Sequence, residues 1–452
     1  MPRTFTNAPR RTRRVVDAIL AGLVCALAFG YSATAAPTST PPRAALLRAL
    51  NQIHRLATQA SNPLARHAAD AVSQQLARAL DPVLWLDPSE VVAPPDGARV
   101  LSDTTAALTE LQNVSGPGTT RATIAAGLIV RATRGLAASI LAQAAGGDPG
   151  LLATASRGIA AGDHAAQAGR RAAATRSYAA AWAAAYEALR RQISAEITRV
   201  PAATLAAAAE NALGSKRIGL AGPMIEKQWL PLTRGGKPEL FFAGAEGCPF
   251  CGVQRWGMIA ALSQFGTFSN LHLMQSDTTE PPPVRTFTFY GSSYHSPYLA
   301  FVPVEILGHI RHGQKFPQLQ HPTAAEWMLI HRFDRPPETP FIDVAGRFVQ
   351  VSSTVDPHLI GGLTWAQVAG SLGNPTSIGA QTIAGEAEVL TAELCLATGG
   401  RPTSVCSATV VTQYEAALPL LNGQGGGCPT VAADRPSAGH RPPRARAARC
   451  NT

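Results

Sequence analysis

The four residues best placed to do chemistry are Cys248-Pro249-Phe250-Cys251. If the segment opens a helix, two intervening residues bring the second thiol round to the first, and the pair can cycle between dithiol and disulfide. The reactive species is the thiolate. Free backbone N–H groups and the macrodipole at a helix N-terminus stabilise it. Cys248 is therefore read as the exposed nucleophile of lowered pKa, and Cys251 as the buried resolving thiol. Pro249 suits a first helical turn, where its missing N–H is not needed. Two other readings stay open. A zinc site needs two more ligands, but there is no second CxxC, and the nearest His pair, His309 and His312, has no cysteine beside it. A purely structural bridge would use the same spacing.

Such a pair has to be held between a strand and a helix. Residues 239–245 form a short β-rich run, and 248–265 read as an amphipathic helix with Trp256, Ile259, Ala260 and Leu262 on a common side. Residues 270–275 alternate as a strand. The β-branched and aromatic runs 285–291 and 300–307 suggest a hairpin or extra strands. Residues 324–333, 364–372, 383–398 and 410–421 read as helices. Residues 341–344 and 347–352 flank Ala345-Gly346, a hairpin signal, and Thr339-Pro340 stands directly before the first of them.

This arrangement resembles the thioredoxin fold, in which a cis-proline loop faces the CxxC and its strand joins the central sheet. The resemblance implies that Pro340 is that proline and that Thr339 offers backbone groups to a bound substrate strand. An ordinary proline at a strand start is the plainer alternative. The segments Gly247-Cys248-Pro249-Phe250-Cys251, Phe287-Thr288-Phe289-Tyr290-Gly291-Ser292-Ser293-Tyr294, Phe301-Val302-Pro303-Val304-Glu305 and the stretch from Cys395 to Cys406 are similar to the family catalogued as domain of unknown function 929. That likeness extends over about 220–422 and implies a thioredoxin-like fold without an assigned activity. Thioredoxin buries an acid six residues before its first cysteine; here that position is Phe242, and Glu246 is nearer, two residues before Cys248. The chain between the CxxC and Pro340 is also longer than in a compact thioredoxin. The insertion carries 290–298, rich in Tyr and Ser with His295, which suits a lid or peptide groove on one reading and added sheet on the other. Proline directly after the first cysteine resembles the glutaredoxin and disulfide-oxidase patterns more than the Gly-Pro pair of thioredoxin. That predicts a stabilised Cys248 thiolate and an oxidising couple.

The compartment follows from the N-terminus and the remaining cysteines. Residues 1–35 read as a signal peptide or signal anchor. Arg3, Arg10, Arg11, Arg13 and Arg14 precede a 14-residue apolar run, 18–31, and then Ala33-Thr34-Ala35, a small-x-small cleavage signature. If uncleaved, residues 15–31 would anchor the chain in the membrane; no other stretch reads as long and apolar enough to span one. Setting aside Cys25 in this segment, the seven cysteines leave six, an even number suited to an oxidising compartment. Cys395 and Cys406 lie across Gly399-Gly400-Arg401-Pro402 between two helices and are read as a structural disulfide; Cys428 and Cys450 form a possible third pair.

The net charge of +10 invites a nucleic-acid partner, but its location argues against one. Residues 1–17 and 431–452 each hold five arginines and one aspartate, so the 413 residues between them carry only about +2. No basic face is implied for the folded body, and no nucleic-acid partner is expected. Residues 423–452 read as a disordered basic tail.

The first half looks different. Residues 43–215 are alanine-rich, with helical runs near 44–56, 119–146 and 161–199 and an apolar packing stripe of Trp182, Tyr186 and Leu189. It carries no catalytic constellation. The expected architecture is thus an all-α region followed, over 223–422, by an α/β thioredoxin-like domain with C-terminal helices. The leading function is an extracytoplasmic thiol–disulfide oxidoreductase acting on protein thiols with a redox partner, needing neither metal nor organic cofactor. The competing class is a non-catalytic envelope protein that uses the same scaffold for binding or assembly.

Overall fold

Alanine, the best helix former, dominates the first half, and polar caps with prolines punctuate it. A computed structural model describes residues 40–421 apart from 61, 113, 115–118, 216–223, 226–229, 278–282, 312–314 and 336. The signal segment, the basic tail, Cys25, Cys428, Cys450 and His312 lie outside the described residues.

The helical half comprises α1 (Pro42–Gln59), α2 (Pro63–Ala79), α3 (Asp96–Leu111), α4 (Thr119–Gln143), α5 (Pro149–Gln167), α6 (Arg171–Thr198) and α7 (Ala202–Gly214). Asn62 and Asp148 cap α2 and α5, each accepting a backbone N–H and each followed by proline at the first helical position. A small hairpin, β1 (Trp85–Asp87) with β2 (Glu90–Val91), joins α2 to α3. The run expected as one helix over 161–199 is two. Gly169 adopts φ +73°, a left-handed conformation that ends α5 and turns the chain into α6. Tyr178, Trp182, Tyr186 and Leu189 of α6 are all buried. The expectation that no stretch beyond the N-terminal segment is long and apolar enough to span a membrane needs correcting: by length and composition α4 is, although half of its apolar stretch is buried inside the protein, where it packs on α1 and α6.

The second half is mixed α/β. Its central strand is β5 (Lys237–Ala245), with the short β4 (Thr233–Arg234) folded back antiparallel on its start. On one side β10 (Ala300–Leu307) runs parallel to it, with Val302 opposite Phe241. On the other side β11 (Phe341–Val344) runs antiparallel, followed by β12 (Phe348–Val351) and the short β3 (Met224–Ile225). Alternation along β5 sorts the two faces. Phe241 and Ala243 join Val304, Phe341 and Val349 against Ile330 and Trp327 of α9 (Ala324–Phe333). Leu240 and Phe242 face the other way, into the core built from α8 (Pro249–Leu262) and α11 (Ile378–Thr398).

Two readings are decided here. The stretches 285–291 and 300–307 supply separate strands, as one of the two alternatives had it, and do not form a hairpin with each other. β8 (Arg285–Thr288) pairs with β7 (His272–Gln275), while β10 enters the main sheet. The 290–298 segment supplies β9 (Ser293–His295), paired with β6 (Thr267–Ser269), so the added-sheet reading describes it. Second, α8 is not amphipathic in place: every residue from Cys251 to Leu262 is buried. The sheet covers one side, and α11, α6 and β8 close the rest. Gly257 permits the close approach of α11, since a Cβ there would fall 2.4 Å from Glu386 Cγ.

The helical half shares this core. The Tyr186 hydroxyl donates to the Leu273 carbonyl on β7 at 3.0 Å, and Tyr414 on α13 (Thr409–Leu421) donates to Ala209 on α7 at 2.8 Å. Trp365, opening α10 (Trp365–Ser371), donates its indole N–H to the Thr286 carbonyl at 2.9 Å.

Candidate active site

β5 ends at Ala245, and three residues later Cys248 is the N-cap of α8, in extended conformation at φ −75° and ψ 121°. Its sulfur fills the role a capping oxygen usually plays: the Cys251 N–H donates to Cys248 Sγ at 3.3 Å. Pro249 holds the first helical position. Cys248 is half-buried and Cys251 is fully buried, and both are free thiols.

The third participant comes from far along the chain. The Cys248 thiol donates to the Thr339 carbonyl oxygen at 3.4 Å. The Thr339–Pro340 peptide is cis, and Pro340 leads directly into β11. The Pro340 carbonyl accepts the Ser352 N–H at 2.8 Å, closing the hairpin end beside the cysteine loop. Cys248, Cys251, Thr339 and Pro340 are thus neighbours. Cys395 and Cys406 form a disulfide of 2.02 Å at the junction of α11 and the single turn α12 (Thr403–Cys406).

The electrostatics divide the two thiols. Hydrogen bonding from the Cys251 thiol, from the Cys251 N–H and from Thr339, with a smaller contribution from the charge of Arg255, outweighs burial and holds the Cys248 pKa down at about 6. Burial pushes the Cys251 thiol well above its ordinary value, and the neighbouring Cys248 sulfur adds to the shift, while Arg255 opposes it. One sulfur is thus poised as thiolate and the other held protonated, a division suited to sequential thiol–disulfide exchange.

Beneath the cysteines lies a buried polar layer, of which the sequence reading singled out only Glu246 and His309. Arg255 on α8 makes a two-pronged pair with Glu305 on β10, Nε to Oε1 at 2.9 Å and Nη2 to Oε2 at 2.6 Å, both side chains at 0% exposure. Glu246 shares a hydrogen bond with His309 at 2.8 Å; burial would raise its pKa, but His309 holds it below the usual carboxylate range. On the other side of α8, the Gln254 amide N–H donates to Glu386, and the Gln254 carbonyl accepts from Gln350 at 3.0 Å and from Ser353 at 3.1 Å. A signal for Arg255 was present: it and Gln254 are polar residues inside the otherwise apolar run 253–262, at helical spacing from Cys251. Among the described residues, no group of three or more His, Cys, Asp and Glu side chains is arranged to hold a metal.

Part of this geometry falls within a stretch that matches a known family. Residues 225–316 match the family described as a domain of unknown function, DUF929. The matched segment runs from β3 past β10 and so includes Glu246, Cys248, Cys251, Arg255, Glu305 and His309. It is shorter than the 220–422 likeness read from the sequence, and Thr339, Pro340, Cys395 and Cys406 lie beyond it. No curated protein and no solved structure matches the chain.

Proposed function

We propose that the protein is a thiol–disulfide oxidoreductase acting on protein thiols, built on a thioredoxin-like α/β region. The observation that carries the reading is the placement of Cys248: its sulfur caps α8, receives the Cys251 N–H and lies against the Thr339 carbonyl. Supporting the fold assignment is the sheet order, with β5 and β10 parallel, β11 and β12 antiparallel to their neighbours, and the cis Thr339–Pro340 peptide just before β11. Thr339 presents backbone groups beside the reactive sulfur, where an extended client segment could pair.

In the oxidising direction the site begins as a Cys248–Cys251 disulfide. A client thiolate attacks Cys248 Sγ, forming a mixed disulfide and releasing Cys251 as a thiol once it takes up a proton. A second client thiolate then attacks the client sulfur of the mixed disulfide and releases Cys248 as a thiolate. The client loses two electrons and gains a disulfide; the CxxC gains the same two electrons. A disulfide-bearing redox partner returns it to the oxidised form. Electrons move only between sulfur atoms, so the reaction calls on neither metal nor organic cofactor. We place the activity outside the cytoplasm, on the strength of the export-like N-terminal sequence and the disulfide between Cys395 and Cys406.

The test is trapping. Cys251→Ser removes the resolving thiol, so mixed disulfides between Cys248 and client proteins should accumulate and be reversed by reductant. Cys248→Ser should accumulate none. If Cys251→Ser traps no partner when prepared without reductant, the oxidoreductase reading fails and a binding scaffold takes its place.

A further inference from the structure

We infer that Arg255, held in place by Glu305, is the positioning residue of this site: a fixed buried cation that eases formation of the attacking Cys251 thiolate, where thioredoxin would have a buried acid. The inference rests on the oxidoreductase reading and deepens it.

Arg255 follows Cys251 by four residues on α8, so the two share a helix face. Side chains on a helix lean toward its N-terminus, which carries the guanidinium back beneath the CxxC turn. Three contacts fix it there. Glu305 takes Nε and Nη2, and Nη2 also donates to the Ala245 carbonyl, the last of β5, at 2.9 Å. The guanidinium carbon lies 5.8 Å from the centre of the Phe242 ring. Phe242 occupies the position six residues before Cys248, so the cation lies against the residue that replaces the acid. The remaining nitrogen, Nη1, is buried and has no hydrogen-bond partner among the described residues. A donor left unpaired in the interior is costly, and a buried ion pair is often no more stable than apolar residues of the same size. Stability alone is thus a weak reason for the pair.

In the resolving step of client reduction, Cys251 sheds its proton and attacks Cys248 Sγ. The Cys248–client bond breaks, the Cys248–Cys251 bond forms, and the client leaves as a thiolate that takes the proton. The anion on Cys251 is formed where burial opposes it, and the charge of Arg255 favours it. The other charged or titratable groups facing this centre are Cys248, Glu246 with its partner His309, and Glu305, which is committed to Arg255 and to the Phe289 N–H at 3.2 Å.

The experiment compares the full chain with Arg255→Lys and with Arg255→Met/Glu305→Met, the latter removing both charges so that neither is left unpaired. Thermal melting reports folding. The readouts are the Cys248 pKa from thiolate absorbance, the equilibrium with glutathione, and the rate of mixed-disulfide resolution. The double variant should melt near the parent temperature yet raise the Cys248 pKa by about one unit. It should also shift the glutathione equilibrium toward the disulfide about tenfold, which is about 30 mV, and slow resolution about tenfold. Arg255→Lys, which folds with its charge retained, should recover part of each change. Parent-like pKa, equilibrium and resolution in the folded double variant would overturn the inference; if that variant does not fold, parent-like values in a folded Arg255→Gln/Glu305→Gln chain, which also lacks both charges, would do so. The pKa and the glutathione equilibrium need no client, so they judge Arg255 even if Cys251→Ser traps nothing.

Discussion

The Cys248 sulfur lies 3.4 Å from the carbonyl oxygen of Thr339, a residue 91 positions further along the chain. That contact joins the N-terminus of α8 to the entrance of β11 and leaves a backbone acceptor next to the only half-exposed sulfur of the CxxC. On the proposed function, a client cysteine approaching Cys248 would meet Thr339 at the same time.

The Cys248 thiolate should govern reactivity. Alkylation of the reduced protein should label Cys248 quickly and Cys251 hardly at all, with the rate rising through a midpoint near pH 6. The sign for stability follows. The folded pKa lies below the unfolded value of about 8.5, so this group's contribution is fully present above about pH 8.5 and is lost as pH falls through about 6. Unfolding of the reduced chain in denaturant at pH 5 and pH 9, compared with Cys248→Ser, checks it: the variant should lack this share of the pH dependence.

The Cys395–Cys406 bridge should act on stability and not on exchange chemistry. It closes a short loop between α11 and α12, for which loop-closure entropy amounts to about 3 kcal/mol. Replacing both cysteines by serine should lower the denaturation midpoint while leaving the alkylation rate of Cys248 unchanged. A matching loss of Cys248 reactivity would tie the bridge to the site.

Glu386 should make the fold sensitive to rising pH. Burial, eased by the Gln254 amide, pushes its pKa up to about 7. Burial likewise raises Asp343 to about 7, and burial together with Glu386 and Asp343 lifts Glu393 well above the usual range. With the folded pKa raised, the stability carried by Glu386 is fully present below its unfolded value, about 4.5, and is lost as pH rises through about 7. Glu386→Gln keeps the size that Gly257 accommodates and removes the titration. It should melt higher than the parent at pH 8 and close to it at pH 5; equal melting at both values would show that Glu386 does not titrate in this range.

The sequence disclosed local features more readily than long-range ones. Cys248 and Cys251 announce themselves because their chemistry depends on adjacent positions and on one helix start. Thr339-Pro340 came to notice because a proline before an apolar run is a local break. The pairing of Arg255 with Glu305 was not legible: the partners are 50 residues apart, and only the parallel registration of β10 on β5 brings the carboxylate under α8. The same cause misled the reading of α8 itself. It was expected to be amphipathic, with Trp256, Ile259, Ala260 and Leu262 on its apolar side, whereas it is buried all round and the polarity of Gln254 and Arg255 is met internally, by Glu386 of α11 and Glu305 of β10. At Gly169 the misreading was one of punctuation: a long alanine-rich run hid a single left-handed residue that splits it into α5 and α6.

The most direct measurement is the reduction potential of the Cys248–Cys251 couple, set by equilibration with glutathione. Because the reduced form gains a stabilised thiolate on Cys248, the account predicts a potential above that of thioredoxin, about −270 mV. A value below about −300 mV, the range of structural disulfides, would contradict it.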